Sequence, residues 1–198
     1  MDSLSSTEMR ALLRLLKEPR TDYSASTLGK ALGITSMGAL KILKRLEKQN
    51  ILKSRKVGKS TLYTPNLKEE YPLRLFAFLL CKEAEDSASR IRRWVREARK
   101  LSDVSEAAVL YGSVLKEGKY DDVDLLLVQK PSQDSLIDYR IEEIDKVNVK
   151  RIHAVRQTEK DLARNIRTGD KIVLGALKDG IVLFGYDKLV GAIRDGTC

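Results

Sequence analysis

The chain has 198 residues, with 37 lysines and arginines against 28 acidic side chains, a formal net charge of +9. That length suits two small domains or one domain with a long insertion, and a composition 42% hydrophobic and 33% charged supports a packed core rather than disorder. The longest apolar run, residues 75–81, is far short of the roughly 20 residues of a membrane span. The opening MDSLSSTE has no charged-then-apolar leader pattern, so a cytoplasmic protein with no membrane partner is expected. Cys81 and Cys198 lie far apart, which argues against a disulfide scaffold and a cysteine zinc site, and His153 alone excludes any site needing two histidines.

The charge is unevenly placed. Residues 1–70 carry 14 basic and 7 acidic side chains, residues 71–100 carry 8 and 4, and residues 101–198 carry 15 and 17. A basic first half joined to a mildly acidic second half points to a polyanion-binding module linked to something else.

From the N-terminus, residues 6–17 read as a helix with Met9, Leu12, Leu13 and Leu16 inward, capped by Ser5 or Ser6 and ended by Glu18-Pro19. A second short helix starts near Ser26, with Leu28, Ala31 and Leu32 inward and Gly33 as its stop. Thr35 or Ser36 opens a third, SMGALKILKRLEKQN, with Ala39, Leu43 and Leu46 inward. Lys41, Lys44, Arg45 and Lys48 recur at helical spacing and form a cationic stripe. Two extended segments follow, residues 51–56 and 61–64, joined by a turn at Gly58.

Helix, helix, tight turn, helix and two-stranded hairpin over residues 6–66 resembles the winged helix-turn-helix family. The resemblance implies binding of double-stranded DNA, with the third helix in the major groove. Ser36, Met37, Gly38 and Lys41 are then placed at base edges and Arg45 and Lys48 at phosphates. The wing residues Lys53, Arg55, Lys56 and Lys59 are expected on the backbone or in the minor groove.

Residues 67–101 read as a helical connector, one long helix or two, with residues 73–80 apolar nearly all round. Such a helix either pairs with a second copy, giving a homodimer, or packs on the chain's own domains.

In residues 102–198, a strand at 107–111 runs into Gly112-Ser113, and Asp122 and Asp124 open a second apolar strand ending at Val128. Residues two apart on a strand face the same way, so the two carboxylates are presented together. Neighbouring carboxylates repel unless cations neutralise them, and hard Mg²⁺ (or Mn²⁺) suits that role. The segment YGSVLKEGKYDDVDLLLV resembles the nucleotidyltransferase signature of the DNA polymerase β superfamily, closest to its minimal prokaryotic members.

The resemblance implies an NTP held at Gly112 and Ser113, metal ions on Asp122 and Asp124, and transfer of a nucleoside monophosphate to a hydroxyl of a protein or nucleic-acid acceptor. Lys116 stands where the family has an arginine, and the loop from Ser113 to Asp122 is short. The family's third carboxylate falls on a later strand, here residues 147–155. Its two alternating series are Asn148, Lys150, Ile152 and Val147, Val149, Arg151, His153, and neither holds an acid; Asp145 precedes them.

Helices are expected at 135–146 (Leu136, Ile137, Ile141 and Ile144 inward), from Thr158, at 170–177 and at 186–194, with a strand at 181–184. The expected class is α+β: a winged helix-turn-helix at 1–66, the connector at 67–101, and an α/β nucleotidyltransferase-like domain with a mixed sheet at 102–198. Two functions stay open. One is a DNA-binding nucleotidyltransferase; the other is a transcriptional regulator whose second domain senses nucleotide or is inactive.

Overall fold

Capping chemistry sets the first three helices. The structure, a computed structural model, describes residues 4–197. Helix α1 (Ser6–Lys17) begins at a capping box in which Ser5 Oγ accepts from the Glu8 amide and Glu8 accepts from the Ser5 amide at 2.9 Å. Helix α2 (Ala25–Leu32) has a similar reciprocal arrangement between Ser24 and Thr27, and starts one residue before the Ser26 expected from the sequence. It ends at Gly33, whose φ of +70° a side chain would disfavour. Thr35 caps helix α3 (Ser36–Lys48). Strands β1 (Leu52–Val57) and β2 (Ser60–Pro65) form an antiparallel hairpin, with Lys53 opposite Thr64 and Arg55 opposite Leu62.

The chain divides into two units, Met1–Leu79 and Leu80–Cys198, within helix α4 (Glu70–Glu85). In the first unit, Leu12, Leu16, Leu28, Leu43, Leu46, Ile51, Leu52 and Tyr63 form a dry core; each such side chain stabilises the fold by about 1.5–3 kcal/mol. The buried arc of α1 is Ala11, Leu12, Leu15 and Leu16, so Met9 and Leu13 lie at its margin. Ala31 is exposed rather than inward.

The connector is broken in two. Helix α5 (Ser89–Ala98) follows α4 after a short turn, and its buried residues Ile91, Trp94, Val95 and Ala98 belong to the second unit's core. That unit is built on a four-stranded mixed sheet in the order β5-β4-β3-β6. Strands β3 (Ala107–Tyr111) and β4 (Asp122–Val128) are antiparallel neighbours. Helix α6 (Asp134–Lys146) carries the chain over to β5 (Arg151–Gln157), parallel to β4. Strand β6 (Ile181–Phe184) pairs antiparallel with β3.

One sheet face, with Ala108, Leu110, Val123, Leu125, Leu127 and Ile152, packs on α5 and α6 through Trp94, Val95, Ile137 and Ile144. Leu136 is exposed, because α6 turns only Ile137 and Ile144 fully inward. Alternate residues Val109, Leu126 and Val128 are buried toward the other side. Helices α7 (Glu159–Thr168), α8 (Lys171–Asp179) and α9 (Tyr186–Thr197) supply that cover: α8 and α9 contact β3, and α7 contacts β5. No helix among the described residues is long and apolar enough to cross a membrane.

Candidate functional site

In the first unit the exposed cations gather on α3 and the hairpin. Thr35 Oγ1 accepts from the Gly38 amide at 3.1 Å, which leaves Ser36 and Met37 exposed on the first turn; Met37 is 62% exposed. Lys41, Lys44 and Lys48 are exposed further along, as are Lys53, Lys56 and Lys59 on the hairpin. Arg45 departs from the stripe. It turns toward α1, where its Nε lies 3.2 Å from Oε1 of Glu8, a carboxylate only 4% exposed. Glu8 also caps α1, so Arg45 ties α3 to α1 instead of extending outward with the lysines. Arg55 pairs with Asp22 at 2.7 Å; both side chains are more than half exposed, and such a pair contributes at most about 1 kcal/mol.

In the second unit, Asp122 and Asp124 stand at the beginning of β4, on the face shared with Leu126. Cover gives way there, and both are half-buried while the strand behind them is buried. In register across the sheet, Tyr111, Asp124 and His153 form one row, and Asp122 faces Arg151. Burial and the charge of Asp124 push the Tyr111 hydroxyl above its usual pKa.

The turn after β3 brings its backbone against this row. Gly112 has φ +82°, and a Cβ built on it would lie 2.1 Å from Asp124 Oδ2. Glycine is required there by the backbone angle and by the carboxylate together. Val114, fully buried, anchors the 3₁₀ turn Gly112–Leu115, and leaves Ser113 exposed. Lys116 is exposed, and its carbonyl accepts from Arg90, which also donates to the Gly118 carbonyl at 3.2 Å. Arg90 and Lys150 flank the Tyr120 ring at 5.8 and 5.6 Å, and Trp94 Nε1 donates to the Tyr120 hydroxyl at 3.1 Å. The loop between Gly112 and Asp122 is therefore held to α5 rather than left free.

Neither acid-or-amide candidate for a third metal ligand joins the pair. Asp145 accepts from the Ile152 amide at 3.0 Å and so fixes the edge of β5. Asn148 donates to the Ile144 carbonyl and to Glu97, and accepts from Arg93 at 2.8 Å. The β5 residue beside Asp124 is His153, whose Nδ1 is 3.8 Å from Asp122 Oδ2. Among the described residues no group of three His, Cys, Asp or Glu side chains is arranged to hold a metal. Two carboxylates still suit Mg²⁺, which commonly takes one or two from the protein and the rest of its oxygens from substrate phosphates and water.

The row of β5 adds one cation, Arg151, to the same face, whereas Lys150 precedes the strand and alternates to the side of Ile152 and Tyr120. Arg151 is exposed opposite Asp122, and Lys150 Nζ lies 3.5 Å from Asp121 Oδ1. Alternation along the sequence yields the series 147, 149, 151, 153, but only the parallel register set by α6 places Arg151 and His153 beside the aspartates. Arg90 carries no local signal, since its loop partners are 26 and 28 residues away.

No protein-family model and no curated protein matches the chain. The crystal structure of a zinc-responsive MarR family member, ZitR of Lactococcus lactis, is similar over 52% of this chain and 76% of that chain, at 17% sequence identity and a TM-score of 0.28.

Proposed function

We propose that the chain is a DNA-binding protein whose second unit binds an NTP as its magnesium complex and transfers the nucleoside monophosphate to a hydroxyl acceptor. The observation that carries this reading is the side-by-side placement of Asp122 and Asp124 with the bare backbone of Gly112 against Asp124. Asp122 and Asp124 would hold Mg²⁺ or Mn²⁺, and the ion would neutralise charge on the phosphates during phosphoryl transfer. Ser113 and the turn amides accept the triphosphate, with Lys116 and Arg151 as nearby cations. These groups position the nucleotide, and the protein itself adds no covalent step.

Recognition of double-stranded DNA falls to the first unit. The exposed Met37 suits a thymine methyl, Ser36 and Lys41 suit base edges, and Lys48, Lys53, Lys56 and Lys59 suit phosphates. A two-fold DNA site would match a homodimer.

A second reading is favoured by His153. With an imidazole where a third carboxylate would stand, the pair lacks a further anionic oxygen ligand for a second Mg²⁺, which suits a regulator that binds nucleotide without turnover. One experiment separates the two: the intact protein with α-labelled NTPs, Mg²⁺ or Mn²⁺, and DNA, RNA or protein acceptors. Transfer lost in Asp122→Asn and Asp124→Asn supports the enzyme. Metal-dependent NTP binding without transfer supports the sensor, and absence of both removes each reading. For DNA, Lys48→Gln should reduce the slope of log affinity against log salt by about 0.9, the value per phosphate contact on duplex DNA. An unchanged slope would remove α3 from the interface.

A further inference from the structure

Helix α5 and the turn after it concentrate charge in a unit that is otherwise balanced. Residues 90–100 hold six basic side chains and one acidic, whereas residues 101–198 hold 15 and 17. Arg90 and Arg93 are engaged with the Lys116–Gly118 loop and Asn148. Arg92 and Arg96 on α5 and Arg99 in the 3₁₀ turn that follows it repeat at helical spacing on a different face from these. Together with Glu85, Ser89 and Val95 they line a cavity of about 400 Å³.

The charges in this groove are unevenly compensated. Arg99 pairs with Glu85 at 2.8 Å. Arg92 donates to Ser89 Oγ at 3.1 Å, a contact that orients the guanidinium without neutralising it. Among the described residues neither Arg92 nor Arg96 has a carboxylate at ion-pair distance. Two uncompensated guanidiniums one helical turn apart have Cβ atoms separated by about 5–6 Å. Their planar forks match phosphate oxygens in bidentate fashion, and an oriented hydroxyl and an apolar wall at Val95 complete the groove. A ligand with anionic groups in succession fits two such forks better than a single anion does.

We propose that this groove binds the phosphodiester backbone of a nucleic-acid strand, a polyanion site carried by the second unit and independent of the reading of Asp122 and Asp124. The test uses the full chain and a short fluorescent oligothymidylate, which offers phosphates without a major groove. Binding should fall with salt. Arg92→Gln with Arg96→Gln should lower the log–log salt slope by about 1.4, from about 0.7 per phosphate on single strands. Arg92→Lys with Arg96→Lys should retain most of the slope, and Lys41→Gln with Lys48→Gln should leave it unchanged. The proposal fails if the wild type does not bind the oligonucleotide, if the glutamine pair leaves the slope intact, or if the α3 pair abolishes binding. It also fails if poly-L-glutamate competes as well as the oligonucleotide, which would make the groove a dock for an acidic protein. Competition by free ATP at equal phosphate concentration would make it a nucleotide pocket and likewise overturn it.

Discussion

Substituting Gly112 by alanine perturbs the carboxylate pair through the backbone alone. The residue sits at φ +82°, where an L side chain costs about 1–2 kcal/mol. The new Cβ would also lie 2.1 Å from Asp124 Oδ2, with Asp124 Cγ and Cβ at 3.1 and 3.3 Å. The carboxylate must rotate away, and an off-rotamer side chain costs about 0.5–1.5 kcal/mol more. Gly112→Ala should therefore destabilise the second unit by about 1.5–3.5 kcal/mol. In an Asp124→Ala background the offending oxygen is gone, so only the backbone cost should remain. The coupling energy from that double-mutant cycle should be about 0.5–1.5 kcal/mol, measurable by urea unfolding. Equal costs in both backgrounds, or a neutral Gly112→Ala, would refute the close approach of turn and strand.

Further consequences concern titration. Because burial and Asp124 together hold the Tyr111 hydroxyl high, Asp124→Asn should move its titration to lower pH, as followed by carbon NMR; an unmoved Tyr111 would place the carboxylate elsewhere. Glu97 is held below the usual carboxylate range, chiefly by its hydrogen bond with Lys100 and further by Asn148, with burial working against them. A depressed folded-state pKa stabilises above the ordinary value of about 4.3 and loses that contribution as pH falls through the folded value. The wild type should thus exceed Glu97→Gln in stability at neutral pH, and the difference should shrink in acid; a difference that persists unchanged at low pH would contradict the pairing. In the first unit, Leu43→Ala should cost about 2–5 kcal/mol, since Leu43 is fully buried in the three-helix core. Thermal or urea unfolding of the intact chain measures that loss.

What the sequence made legible was local. Ser5 with Glu8, and Thr35 before an apolar-periodic run, announce helix starts because a cap needs only its own next few amides. The aspartate pair and its Gly-Ser turn were equally readable, since strand alternation and turn chemistry act over a few residues. Long-range pairing was not readable. Arg45 matches the lysines around it in spacing and leaves their stripe only because Glu8, 37 positions earlier in the chain, is buried beside it. Likewise the 147–153 segment supports two alternating series, and the choice between them is made by the register of β5 against β4. Leu136 fits helical periodicity yet stays outside, because only the arc of α6 holding Ile137 and Ile144 is covered by the rest of the unit.

Calorimetric binding of each ribonucleoside triphosphate, in Mg²⁺ and in EDTA, tests the role of the aspartate pair most directly. Binding should require the metal and should be lost in Asp122→Asn and Asp124→Asn while the fold is retained. Nucleotide binding that survives both EDTA and these substitutions would contradict the account, as would absence of binding by the intact wild-type protein.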